Sequence, residues 1–342
     1  MRRSPRRRRW AVITTAVLFS APGCGTGGSP VVEAVGSSAL PGPSATSSSR
    51  APEPAEVGAN ELGEVPVLMY HRVVRNPASV YDRDPTEFRA ELRRLATEGY
   101  VPVTAADFAA GEIDIPAGAH PVVLTFDDGD PSQFALGRDG APDPDTAVGI
   151  LLRVAAEHPG FRPVASLYVN AEPFGGTSMT WLRDNGFEIG NHTHDHADLS
   201  GLDGAGVQRE IARGQAAIER AVPGYRVSSL ALPFGSAPQD PALALRGASE
   251  GVSYDHRCVF LVGAEPSPSP YAQTFDPSAV PRVRSQGPTG EDAAYGSSVR
   301  LDELASDPGR RYTSDGRADR ISYPRSSGVV PSARFAGRAV GY

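Results

Sequence analysis

An α/β fold on a parallel sheet, open or closed into a barrel, is predicted by two observations. Apolar strand-like runs alternate with helix-like segments over about 230 residues. The polar clusters follow predicted strands, at the end of the sheet where such folds place their chemistry. The first strand is Val65–His71. Pro85–Glu98 reads as a helix, with Phe88, Leu92 and Leu95 at helical spacing and Gly99 as its stop. Val122–Phe126 is a buried strand. Gly149–Glu157 is helical and Ala165–Val169 a strand. Met179–Asn185 is a short helix ended by Gly186, with Trp181 expected to pack into the core. Phe187–Gly190 leads into a histidine cluster. Val207–Ala221 is a helix with Ile211 and Ile218 on one face. Ser229–Phe234 is a strand, Pro241–Ser249 a helix, and Val280–Val283 the last strand. No internal repeat is visible.

Composition divides the chain further. Residues 24–62 are rich in Gly, Ser, Pro and Ala and read as a disordered tether. The globular domain is expected over 63–285. Residues 286–342, with weak periodicity, read as an irregular appendage. The first nine residues hold six arginines, followed by a short apolar run, Trp10 to Ser20, and Ala21-Pro22-Gly23-Cys24. A basic start and an apolar run too short to span a bilayer predict an export signal over 1–23. Gly23-Cys24 resembles a lipoprotein cleavage site, with Cys24 as the lipidated residue; plain secretion is the competing reading. The chain is therefore expected to be exported and lipid-anchored at the outer face of the membrane.

Charge and residue usage exclude several chemistries. All 33 basic residues are arginine, so no lysine can act as Schiff base or general base. Without the six N-terminal arginines the formal charge moves from −7 to −13 (−7 − 6), which argues against a nucleic-acid partner. The two cysteines, Cys24 and Cys258, predict no intrachain disulfide and no cysteine zinc site.

Thr125-Phe126-Asp127-Asp128-Gly129 is the most informative segment. Adjacent carboxylates raise each other's pKa unless a cation lies between them or one stays neutral. Some sixty residues later stands Asn191-His192-Thr193-His194-Asp195-His196. A carboxylate pair plus His-x-x-x-His supplies what one divalent metal and one general base need. Two imidazoles and a carboxylate leave a position open for water, the pattern of a catalytic zinc site. Residues alternate in direction along an extended chain, so one aspartate can ligate while the other lies beside the water. The competing reading is a strand-ending turn and unrelated surface histidines. His194 is expected at the rim, and His120 and His158 at the surface.

Together these segments resemble the polysaccharide deacetylases (NodB homology, carbohydrate esterase family four) over about residues 64–285. The resemblance implies a distorted (β/α) barrel with fewer than eight complete units. It implies Asp127 as catalytic base and Asp128, His192 and His196 as ligands of one divalent metal, zinc first, cobalt or nickel as alternatives. The family's third motif carries an arginine where this chain has Ala231. Arg282, in Pro281-Arg282-Val283-Arg284, is the candidate to supply that charge and keep Asp127 ionised; a solvated strand-end arginine is the alternative. Pro233, Phe234 and Gly235 are expected to line the acetyl pocket. Pro66 to Arg72 resembles a subgroup with permuted motif order, which includes exopolysaccharide poly-N-acetylglucosamine deacetylases. That likeness implies His71 as the acid that protonates the leaving group, with His256 as fallback.

The activity implied is hydrolysis of N-acetyl groups on a cell-wall or exported N-acetylglucosamine polymer, metal-bound water attacking the acetyl carbonyl. An O-acetyl xylan esterase and a non-catalytic glycan-binding lipoprotein are the alternatives.

Overall fold

A computed structural model describes residues 52–171 and 174–342. The expected signal, Cys24 and most of the tether lie outside the described residues. Among the described residues no helix is long and apolar enough to cross a membrane.

The elements alternate as expected: β1 (Val67–Tyr70), α1 (Pro85–Thr97), β2 (Tyr100–Val103), α2 (Ala105–Ala110), β3 (His120–Phe126), α3 (Ala147–Glu157), β4 (Ser166–Val169), α4 (Gly176–Asp184), β5 (Glu188–Asn191), α5 (Gly204–Ala221) and β6 (Ser229–Ala231). Then come α6 (Ala242–Leu245), β7 (Arg246–Ser249), β8 (Val252–Asp255), β9 (Cys258–Phe260), β10 (Val283–Arg284), α7 (Ser297–Ser306), β11 (Ile321–Tyr323) and β12 (Ala339–Gly341). Helix starts follow side-chain chemistry. Asp84, Thr104, Thr146 and Asp203 each accept a backbone N–H of the first turn of α1, α2, α3 and α5.

The main sheet is all parallel, in the order β10-β1-β3-β4-β5-β6-β9. Val123 pairs with both Val67 of β1 and Val103 of β2, so those strands flank β3 on opposite sides. A parallel bridge from Phe260 to Val280 carries β9 back towards β10, and the sheet curls into a distorted (β/α) barrel. No helix separates β9 from β10, so fewer than eight complete units form. One apolar cluster fills the space between sheet and outer helices, where Trp181 packs on Phe134 at 5.1 Å between ring centres. A second cluster, with Val67, Val123, Phe260 and Tyr312, fills the barrel interior.

Five expectations need correction. The helix expected over 241–249 stops at Leu245 and gives way to the β7–β8 hairpin. Glu250 (φ 51°) and Gly251 (φ 79°) form its two-residue turn, in the backbone region that such hairpins require. The last strand is Val283–Arg284, with Val280 contributing only a bridge. The tether does not reach residue 62: Ala59, Asn60, Glu61 and Leu62 are buried. Gly63 permits this, because a Cβ there would stand 2.5 Å from the Arg311 backbone. Residues 286–342 are no appendage. They bury Leu301, Leu304, Tyr312, Ile321 and Phe335 in the core, and polar bonds to distant segments tie them down. Glu61 accepts from the Ser322 N–H (2.6 Å) and from Tyr312, Ser314 and Asp315. His120 is likewise buried, its Nδ1 2.7 Å from the Tyr312 carbonyl, and burial, then the Arg311 charge, lowers its pKa to about 4.

Burial, with Asp315 nearby, raises the Glu61 pKa from 4.5 to about 7 against the lowering effect of its hydrogen bonds. A raised folded pKa stabilises the fold below pH 4.5, and that contribution is lost as pH rises through 7. Between pH 4.5 and 8 the wild type is expected to lose about 3 kcal/mol relative to Glu61→Gln. Urea unfolding of both proteins across that range checks this; parallel pH profiles would contradict it.

Candidate active site

The side chains of the site sit at or beside the strand ends. β3 runs into Asp127 and Asp128, β5 into His192, β1 into His71, and the approach to β10 carries Arg282. Asp127 is buried, and its backbone N–H donates to the Tyr70 carbonyl at 3.0 Å. Arg282 meets it in a double bond pair, Nη1 to Oδ1 and Nη2 to Oδ2, both 2.7 Å. The guanidinium also donates to Thr125 Oγ1 and, through Nε, to the Leu261 carbonyl. Burial raises the Asp127 pKa, but the Arg282 charge and the His192 ring outweigh it, and the net shift is well below the usual carboxylate range. Arg282 thus occupies the electrostatic role that Ala231 leaves open.

Asp128 turns the other way. Its φ of 80° is a left-handed conformation that aspartate tolerates at a cost. It brings Oδ1 to 3.4 Å from the Nε2 atoms of both His192 and His196. The three ligand atoms all lie within 4.8 Å of one another. Two flanking ligands of a tetrahedral ion, each bonded at about 2.0–2.1 Å, stand about 3.4 Å apart. The donor set therefore fits a divalent cation such as zinc. His192 Nδ1 lies 2.8 Å from the Ala231 carbonyl. Donation there fixes the tautomer that leaves the Nε2 lone pair for a metal.

The histidine loop is held by polar groups that have no motif signature. Asn191 accepts the Thr193 N–H and donates to the Ile211 carbonyl, both at 2.9 Å. Asn170 Nδ2 donates to the His192 carbonyl at 2.6 Å. Gly214 of α5 lets the loop come close, since a Cβ there would sit 2.5 Å from Asn191 Oδ1. Non-glycine residues with positive φ concentrate here: Asp128, Thr193, His196 and Phe234 are four of the six among the described residues. Such strain collects where side chains must converge.

His71 lies beside this group. Its ring packs on Tyr81 at 4.9 Å, and its Nδ1 is buried without a hydrogen-bond partner. Burial lowers its pKa, opposed by the charges of Asp127 and Asp128. Gln133, which the sequence did not mark, donates Nε2 to the carbonyls of both His71 and Asp127 and ties the two together. His194 stands apart, its Nδ1 2.7 Å from Asp195 Oδ1. His256 is at the opposite ends of the strands, buried and 2.9 Å from the Ala244 carbonyl; burial lowers its pKa to about 4. Pro233 is buried. Phe234 is 65 % exposed with its ring edge-on to His196 at 4.6 Å. The Gly235 N–H is engaged by the Leu232 carbonyl at 3.0 Å.

This chain is similar to known deacetylases. Residues 165–249 match the family model for polysaccharide deacetylase. A protein of Arthroderma benhamiae named a probable peptidoglycan-N-acetylglucosamine deacetylase is 39 % identical over 75 residues. That match covers 20 % of this chain and 17 % of the relative's length. The chitooligosaccharide deacetylase of Rhizobium leguminosarum bv. phaseoli is 28 % identical over 187 residues, 53 % of this chain and 75 % of that protein. The structure of IcaB from Ammonifex degensii shares the fold, with a TM-score of 0.50 and 21 % identity over 71 % of this chain and 97 % of that one. In its matching segment, its curated relatives and its barrel, the chain is similar to polysaccharide deacetylases.

Proposed function

We propose that this protein is a metal-dependent hydrolase that removes N-acetyl groups from a polymer of N-acetylglucosamine in the cell wall or exported from the cell. The supporting observation is a candidate three-ligand set, with Asp128 Oδ1 3.4 Å from each imidazole Nε2, next to an Asp127 paired with Arg282. Asp128, His192 and His196 would hold the metal. When bound, that cation supplies Lewis-acid activation of water and of the acetyl carbonyl.

The chain's own groups carry the protons. Arg282 keeps Asp127 ionised and fixes its plane. Asp127 accepts the proton of the attacking water as its oxygen bonds to the acetyl carbon. The Phe234 N–H is the backbone donor for charge developing on the acetyl oxygen, because the Gly235 N–H is already engaged. His71, when protonated, donates to the sugar nitrogen as the carbon–nitrogen bond breaks, leaving acetate and a free amine. We further propose that the mature chain works outside the cell, anchored through Cys24.

Acetate release from chitooligosaccharides, peptidoglycan and acetylated xylan tests the reading, with metal supplied or chelated. The wild type is expected to release acetate from the N-acetylated glycans, and chelation to abolish it. Asp127→Asn is expected to lose about 10²–10⁴-fold in rate with its metal content unchanged; near-normal release would overturn the assignment. His71→Ala should fall in the same range, also with metal retained. Metal titration separates the ligand set: His196→Ala should bind zinc at least about 10-fold more weakly, and unaltered affinity would remove His196 from it.

A further inference from the structure

Exposed large apolar side chains are unevenly placed in this molecule. Of the eight among the described residues, Tyr81, Phe234, Val262 and Tyr295 stand at the candidate site or the hollow beside it, Val80 precedes Tyr81 in the chain, and the other three lie in the last thirteen residues. Phe234 flanks His196. Gly235 packs so closely on Val262 that a Cβ would come within 2.9 Å of its backbone nitrogen. Tyr81 flanks His71 on the other side. Between Val262 and Tyr81 opens a hollow of about 250 Å³, also lined by Met69, Arg284, Asp292 and Tyr295.

Its polar groups are arranged for a ligand. Arg284 lies over the Tyr81 ring at 5.4 Å and 3.7 Å from Asp292; its Nη2 donates to Gln286 Oε1 and the Glu291 carbonyl, and its Nε is buried without a partner. Asp292 holds a left-handed φ of 59°, one of the two strained non-glycine residues outside the metal and acetyl region. The Tyr295 ring is 57 % exposed, and its side chain makes no hydrogen bond or ring contact. An aromatic face beside a guanidinium and a carboxylate is the recognition chemistry of a sugar ring. The apolar face of a pyranose covers the aromatic, and its hydroxyls bond the charged groups.

We propose that Tyr295, Tyr81, Arg284 and Asp292 form a subsite for the sugar next to the one being hydrolysed, so that the protein selects oligomeric glycan over short fragments. This rests on the hydrolase reading above for the identity of the reacting sugar. The subsite owes two members to the segment beyond residue 285, giving that segment a part in substrate choice.

Equilibrium titration of chitobiose and chitopentaose into zinc-supplied wild type, Tyr295→Ala and Tyr295→Phe tests it, with acetate release followed in parallel. The wild type should bind the pentasaccharide about tenfold more tightly than the disaccharide, the size of one good ring contact. Tyr295→Ala should lose that advantage, and Tyr295→Phe, which keeps the ring, should retain it. A preference unchanged in Tyr295→Ala, or absent from the wild type, overturns the subsite. A length preference that Tyr295→Ala removes, without acetate release from any protein, supports the subsite and overturns the hydrolase reading.

Discussion

A guanidinium with no exposed surface is tenable only where anions and carbonyls surround it. Arg282 meets that condition at one place, between Asp127, Thr125 and the Leu261 carbonyl. Removing either partner would strand a buried charge, a loss of about 3–5 kcal/mol. The pair therefore joins the segment entering β10 to the end of β3, across β1, and fixes the angle at which Asp127 faces the site. Its charge also separates the roles of two neighbouring carboxylates. Asp127 is satisfied by arginine, whereas Asp128 turns out to the histidines through a strained backbone.

The remaining geometry follows from that division. A cation held by Asp128 and two imidazoles, as proposed, would stand next to a carboxylate already engaged by Arg282. Gln133 ties His71 to the same short stretch of backbone, so the proposed acid and base are held by one side chain. The barrel supplies the constraint that makes this possible: neighbouring parallel strands end at the same level, and their first loop residues face a common space.

Much of this was legible in the sequence because it rests on local chemistry. Paired aspartates after an apolar run, and a His-x-x-x-His set after another, need particular residue types at particular spacings. Arg282 was legible only as a charge that Ala231 left missing. Other parts were hidden for physical reasons. β2 contains Pro102 and β9 spans only Cys258–Phe260, too short for a period to show. The order of residues 52–62 and 286–342 depends on bonds between segments some 250 residues apart, such as Glu61 with Ser322, and no window of sequence contains both ends. Gln133, Asn170 and Asn191 act through backbone carbonyls and N–H groups, which any sequence offers everywhere.

The position of the metal tests the central claim most directly. Zinc-edge anomalous diffraction from a zinc-soaked crystal should give one strong peak at this site, about 2.0–2.2 Å from an Asp128 carboxylate oxygen and from the Nε2 atoms of His192 and His196. Asp127 should remain on Arg282, outside the coordination sphere. A peak that includes Asp127 as a ligand, or that lies away from these three side chains, would contradict the account.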